Sequence, residues 1–211
     1  VPAAIPEPAP LVGRFIRLDP MTRDDIPGLF DAIAVPEVFA GGYGGGLARL
    51  PRDLEAFAGF VAGYYNRGSN QSFTIRIVGG DADGRIVGTS TLGDFDEVNE
   101  HAHLGWTAYS PRVWGSAVNA EAKLLLLGRV FGAGFGRVKI QADERNERSR
   151  AAISGIGATF EGLIRRDMRR ADGSWRTTAQ FSVIIDDWPA VRAGLEARLA
   201  RQHGPVVPRL T

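Results

Sequence analysis

A chain of 211 residues, 44% hydrophobic and 23% charged, holds enough apolar side chains for one large domain with a real core. It has no Cys, which excludes disulfides, thiolate nucleophiles and Cys-ligated metals, and no apolar run long enough to span a bilayer. The net charge is only +1 but unevenly spread: residues 1–100 carry eight Lys/Arg against fourteen Asp/Glu, and residues 101–211 carry seventeen against ten. Such a field either serves one cationic and one anionic ligand or is a plain surface distribution. VPAAIPEPAP lacks the basic start and apolar stretch of a secretory leader, so a cytoplasmic setting is expected.

Residues 1–10 and 204–211 read as loose ends, and 11–203 as a single domain. LVGRFIRLDPM (11–21) alternates and ends in Asp-Pro, predicting a strand. TRDDIPGLFDAIA opens on Thr22, a good N-cap, with acids in its first turn, predicting a helix. FAGGYGGGLARLP reads as a mobile glycine loop, and PRDLEAFAGFVAGYYNRG as an amphipathic helix. SFTIRIVGG and GRIVGTSTLGDF form a hairpin around GGDADG, followed by the strand HAHLGWTAY. SAVNAEAKLLLLGRVFGAGF is a long helix, RVKIQAD a buried strand, and ERSRAAISGIG a short helix ending at Gly157. ATFEGLIRRDM and TAQFSVIID pair around ADGS, and WPAVRAGLEARLARQHG closes as a helix. Three successive strands imply antiparallel pairing, and the strand–helix–strand unit over 101–143 implies a parallel crossover. The result is an α/β fold, a mixed sheet with helices on both faces.

A site is expected where a strand's carboxyl end meets a helix N-terminus, and PRVWGSAVN (111–119) stands there. A helix start offers unpaired N–H groups and positive partial charge, and small residues allow close approach. A nucleotide-triphosphate loop needs Gly-Lys-Ser/Thr, but Ser116 and Ala117 follow Gly115. GGYGGG and GAGFG lack the dinucleotide Gly-x-Gly-x-x-Gly spacing. What remains is a pyrophosphate held by backbone amides without metal.

Arg112-x-x-Gly115-x-Ala117 between strand and helix resembles the acyl-CoA motif of the GNAT superfamily of N-acyltransferases. NAEAKLLLL (119–127), RNERSRAAISGIGATFEG (145–162) and DGSWRTTAQFSVIIDDWP resemble its RimJ/RimL-type branch, and the likeness covers about residues 11–200. The resemblance implies a mostly antiparallel seven-stranded sheet with a central splay between two parallel strands, HAHLGWTAY and RVKIQAD. It implies acetyl-CoA as cosubstrate, with its pyrophosphate on Arg112, Val113, Trp114, Gly115, Ser116, Ala117, Val118 and Asn119. The pantetheine arm would pair near Trp106, Thr107 and Ala108, with Asn146 and Arg150 completing the cofactor contacts. An amine, either a protein N-terminus or a small molecule, would attack the thioester directly. Asn146 and Ser149 match the branch's Asn-x-x-Ser, implying a positioning amide and a proton donor to the thiolate; both types are also common at helix starts. The Tyr that many relatives carry four residues later is Ile153 here.

Relatives often read Glu-Ile-Gly-Trp-Thr where this chain has His103-Leu104-Gly105-Trp106-Thr107, so His103 is the candidate base. Phe39, Tyr43 and Glu97 are the expected acceptor contacts. Arg165, Arg166, Arg169 and Arg170 lie on a hairpin without an aromatic series, so no nucleic-acid partner is expected. His101, His103 and His203 lack a metal-ligand spacing, so no metal is expected, and no membrane partner either; a homodimer is possible. The alternative to an enzyme is a non-catalytic acyl-CoA sensor or interaction module.

Overall fold

The computed structural model describes residues 2–65, 68–170 and 172–209. Eight strands form one sheet: β1 (Leu11–Val12), β2 (Ile16–Pro20), β3 (Gln71–Ile77), β4 (Ile86–Asp96), β5 (His101–Tyr109), β6 (Arg137–Asp143), β7 (Thr159–Arg169) and β8 (Trp175–Ile184). Their order is β1-β2-β3-β4-β5-β6-β8-β7, antiparallel except for β5 against β6. The helices are α1 (Ile26–Ile33), α2 (Pro36–Phe39), α3 (Leu54–Tyr65), α4 (Ala117–Gly132), α5 (Glu147–Ser154) and α6 (Trp188–Ala200).

The expected seven strands become eight because the first one breaks. Gly13 turns the chain, its N–H meeting the Ile16 carbonyl at 2.9 Å. A carboxylate from far along the chain holds the turn: buried Glu121 of α4 accepts the N–H groups of Arg14, Phe15 and Ile16 at 2.7–2.8 Å. Three charge-assisted hydrogen bonds compensate a carboxylate withdrawn from water. A glycine is required beside it, since a Cβ on Gly13 would overlap that carboxylate.

Elsewhere the boundaries shift by a turn. The first predicted helix opens with a tight turn at Arg23–Asp25, where Asp25 accepts the Thr22 N–H at 2.9 Å. The glycine loop folds into α2 and two short turns, Tyr43–Gly45 and Leu47–Arg49. Two residues predicted to extend α3, Asn66 and Arg67, lie outside the described residues, as does Ala171 of the last hairpin turn. The short helix α5 ends at Ser154 rather than at Gly157.

Each sheet face has its own core. On one side α4 and α6 pack Leu126, Val130, Val191 and Leu195 against β-strand residues such as Ile75, Leu104 and Val138. On the other, α1 and α3 pack Leu29, Ile33, Phe57 and Val61 around Ala108. The terminal segments expected to be loose are tied down where they are described. Ala4 N–H bonds to Ala133 O (3.0 Å) and Ile5 N–H to Glu97 (2.7 Å), while Val206 is buried and Arg209 N–H meets the Arg112 carbonyl at 2.9 Å.

Candidate active site

The site begins where two neighbours stop pairing. β5 and β6 share a parallel register only over His101–His103 and Arg137–Lys139. Beyond it β5 bulges: Trp106 takes φ +49°, and the register against β4 breaks between Thr89 and Thr91. A bulge bends its strand and adds twist. From Leu104 to Tyr109 the edge of β5 facing β6 has no strand partner.

Below this gap lies the turn into α4. Pro111–Val113 make one tight turn and Gly115 holds φ +78°, a conformation that favours glycine. Ser116 is the N-cap: its Oγ accepts from Val118 N–H (3.3 Å) and donates to the Val113 carbonyl (2.6 Å). The side chains of Val113, Ala117 and Val118 are buried in the first core, so these residues present main chain rather than side chain to a ligand. Trp114 turns the other way; its Nε1–H donates to Tyr109 O (2.9 Å), and the Arg148 guanidinium lies 3.4 Å from its ring centroid. Arg112 is exposed, Asn119 is half-buried in the helix's first turn, and Arg150 donates to the Glu144 carbonyl at 3.2 Å. A residue the sequence did not single out completes this end: Arg209 Nη2 stands 3.5 Å from where a Gly115 Cβ would lie.

Above the gap a cleft of about 920 Å³ is lined by His103, Trp106, Thr107, Asn146, Ser149 and Tyr43, among others. His103 is 8% exposed; its Nδ1 is 3.0 Å from Asp94 Oδ2, and its ring lies 4.6 Å from that of Trp106. Asp94 also pairs with Lys139 Nζ at 2.9 Å. Burial pushes the imidazole below its usual value, outweighing the Asp94 hydrogen bond that raises it. The hydrogen bond from His103, joined by Lys139, holds the Asp94 carboxyl well below the usual carboxylate range. An ionised Asp94 at Nδ1 makes Nδ1 the protonated nitrogen and leaves Nε2 a lone pair.

Asn146 caps α5, accepting from Ser149 N–H (3.0 Å), while its Nδ2 donates to the Gly41 carbonyl (2.6 Å). One side chain thus fixes both the start of α5 and the glycine loop. The Ser149 hydroxyl has no hydrogen-bond partner among the described residues. Under the cleft floor sits a second residue that sequence reading passed over, Lys123, 5% exposed inside the apolar run AEAKLLLL. Its Nζ donates to Thr107 Oγ1 (3.2 Å), which is 2.7 Å from Ser90 Oγ. With no carboxylate paired to it among the described residues, burial pushes the amine down to about 7.

Tyr43 lines the cleft, its hydroxyl bonded to that of Tyr65. Phe39 and Glu97 do not line it. Phe39 is fully buried behind Tyr43, ring centroids 5.2 Å apart, because the loop folds back on the α1–α3 core. Glu97 sits on the exposed β4–β5 turn and holds the N-terminal segment. Of the hairpin arginines, Arg166 and Arg169 stack on Trp175 and Arg170 pairs with buried Asp143 at 2.7 Å. Among the described residues no group of three metal-ligating side chains occurs, and no helix is long and apolar enough to cross a membrane.

A groove between splayed parallel strands, above the N-terminus of a long helix, is the architecture of the N-acyltransferase class. Residues 16–159 match the family model of the acetyltransferase (GNAT) domain, well over half the chain, so the protein belongs to that family and is an acetyltransferase. Solved structures agree. A candidate acetyltransferase from T. thermophilus is 31% identical over 93% of this chain and 100% of its own, with TM-score 0.81. A GCN5-related N-acetyltransferase from Brucella melitensis is 27% identical over 95% and 89%, with TM-score 0.84. Mycobacterium smegmatis RimJ, solved with CoA-disulfide, shares the fold at 18% identity over 92% and 94%, with TM-score 0.71. No curated protein matches the chain in sequence.

Proposed function

We propose that the protein transfers an acetyl group from acetyl-CoA directly to a primary amine, in a ternary complex, and that its acceptor is either a protein N-terminus, as in the RimJ/RimL-type branch, or a small amine. The observation that carries this reading is the convergence of His103, Asn146 and Ser149 on one cleft beside the unpaired edge of β5.

The residues present fit the donor. Gly115 and Ser116 keep bulky side chains away from the start of α4, where a pyrophosphate would sit, and a Cβ at Gly115 would project toward Arg209. The free edge of β5 from Trp106 to Tyr109 offers main-chain groups for an amide-bearing pantetheine arm. Acetyl-CoA supplies the activated thioester; the chain's own groups supply the rest. His103 Nε2 takes the proton from the incoming ammonium, Asp94 holding the ring in the required tautomer. An imidazole below its usual value stays unprotonated at neutral pH. Ser149 Oγ–H, at the start of α5, donates to the departing thiolate. Main-chain N–H groups of the bulged strand face the developing carbonyl charge.

Calorimetric titration with acetyl-CoA, beside ATP–magnesium and NAD, tests the donor, and thiol release with a panel of amines tests the transfer. Saturable binding of acetyl-CoA alone is expected. Absence of binding, or binding without thiol release for any amine, refutes the reading.

A further inference from the structure

The cleft carries a cation that makes no ion pair among the described residues. Four arginines line it, Arg49, Arg169, Arg170 and Arg176, against two acids, Asp94 and Asp143. Both acids are engaged. Asp94 holds His103 and Lys139, and Asp143 takes Arg170 through contacts of 2.7, 2.9 and 3.0 Å. Arg49 and Arg169 are exposed, and water serves them.

Arg176 differs. It is the second residue of β8, largely withdrawn from solvent, and its buried Nε has no hydrogen-bond partner among the described residues. Its one hydrogen bond among the described residues runs from Nη1 to the Met168 thioether at 3.7 Å, a weak acceptor. No carboxylate lies within ion-pair distance of it among the described residues. Burial lowers its affinity for its proton, while Asp143, Asp167 and Tyr64 attract it from farther off and Arg170 repels it. Asp167 is itself occupied by the Thr178 hydroxyl at 2.5 Å. A guanidinium desolvated without a counter-ion costs several kcal/mol. A planar fork of donors that faces a cleft and lacks an anion is suited to a bidentate carboxylate.

The donor's phosphates do not meet this need, because the residues from Ser110 to Val118 lie outside the cleft lining. The acceptor occupies the space instead, between His103 on the β4–β5 side and Arg176 on the β7–β8 side. Tyr43, Phe60 and Tyr64 wall it with rings, Phe60 and Tyr64 stacked at 4.8 Å.

We infer that the acceptor is a primary amine that also carries a carboxylate, and that Arg176 binds this carboxylate while the amine faces His103. This rests on the acetyl-transfer reading above. The carboxylate could belong to a free amino acid or to an acidic side chain near a peptide's N-terminus; the chemistry at Arg176 is the same.

The test is thiol release from acetyl-CoA with free amino acids, their carboxamides, and short peptides bearing an acidic or a neutral second residue. Carboxylate acceptors should exceed their carboxamides by roughly tenfold or more in kcat/KM, since charge-assisted bidentate pairs are the strong ones. Arg176→Met should erase that preference and Arg176→Lys retain part of it, with acetyl-CoA affinity unchanged in both. Arg176→Met should also raise the urea midpoint, whereas loss of a merely structural arginine would lower it. Preference for acidic peptides over free amino acids would support the carboxylate and identify its source. Equal rates for carboxylates and carboxamides, preference for neutral peptides, or a preference that survives Arg176→Met would overturn the inference. Acetyl-CoA binding that persists through such a failure leaves the transferase reading intact; its absence removes both.

Discussion

Lys123 offers the sharpest physical test of the site, because its amine is buried with no paired anion among the described residues. The folded-state value of about 7 stands against 10.5 in the unfolded chain. Between those values the unfolded chain holds a proton that the folded protein does not, so stability rises as pH rises from 7 toward 10.5. A gap of about 3.5 units corresponds to about 5 kcal/mol in full, of which about 2 kcal/mol is recovered between pH 7 and 9. With a urea slope of about 2 kcal/mol/M, that is a midpoint shift of about 1 M. Lys123→Met keeps the length and removes the titration. The bond to Thr107 that it forfeits is worth only about 1 kcal/mol. Urea unfolding at pH 7, 8 and 9 should therefore show Lys123→Met more stable at pH 7, with an advantage that shrinks as pH rises. A constant difference between variant and parent across that range would refute the reasoning. Since the Lys123 charge also depresses His103, the same variant should move the acid limb of the pH–rate profile upward.

If His103 is the base, the acid limb of kcat/KM lies below 6.5, because burial stabilises the neutral ring, and His103→Gln abolishes that limb with a loss of about 10²-fold or more. Asp94→Asn should lower the limb further and cut kcat while acetyl-CoA affinity holds; a limb unchanged in His103→Gln assigns the base elsewhere. Gly115→Val forces a branched side chain to φ +78° and projects it toward the donor, so the KM for acetyl-CoA should rise about tenfold or more with little change in kcat. Ser149→Ala should reduce kcat by about 10–10² with unaltered acetyl-CoA binding in calorimetry, and undiminished turnover would remove its role as proton donor.

The elements that frame the site were the most legible. HAHLGWTAY and RVKIQAD run residue for residue as β5 and β6, because short runs of apolar and β-forming residues bounded by turns leave little freedom at their ends. Asn146 and Ser149 were readable for a similar reason: Asn-x-x-Ser at a helix start is a local pattern with a local hydrogen bond. What escaped was non-local. Nothing around Gly13 announces that Glu121 will seize three consecutive amides and split the strand. Asp94 meets its partners only in three dimensions, where β5 and β6 bring His103 and Lys139 against it. Phe39 looked like a cleft residue because aromatic side chains in glycine loops often face ligands; the fold used it to seat the loop on the core instead. Arg176 precedes the predicted strand TAQFSVIID, and only its surroundings in three dimensions mark it, where its Nε has no partner among the described residues.

The same departure from regularity produces most of the site. A β5 that paired fully with β6 would satisfy its own edge and leave no gap. The bulge at Trp106, held at φ +49°, ends that pairing and exposes main-chain groups with no strand beside them. Unpaired backbone in a protein interior is costly unless something else bonds it, so an amide-bearing ligand there recovers what the sheet gave up. α4 can approach the gap because Ala117, Ala120 and Ala122 face the core, and its buried Glu121 and Lys123 tie it to β2 and to Thr107. The helix start, the free edge and the His103–Asp94 pair are therefore mechanically linked. Filling the gap by restoring the pairing would remove the donor groove and the acceptor cleft together.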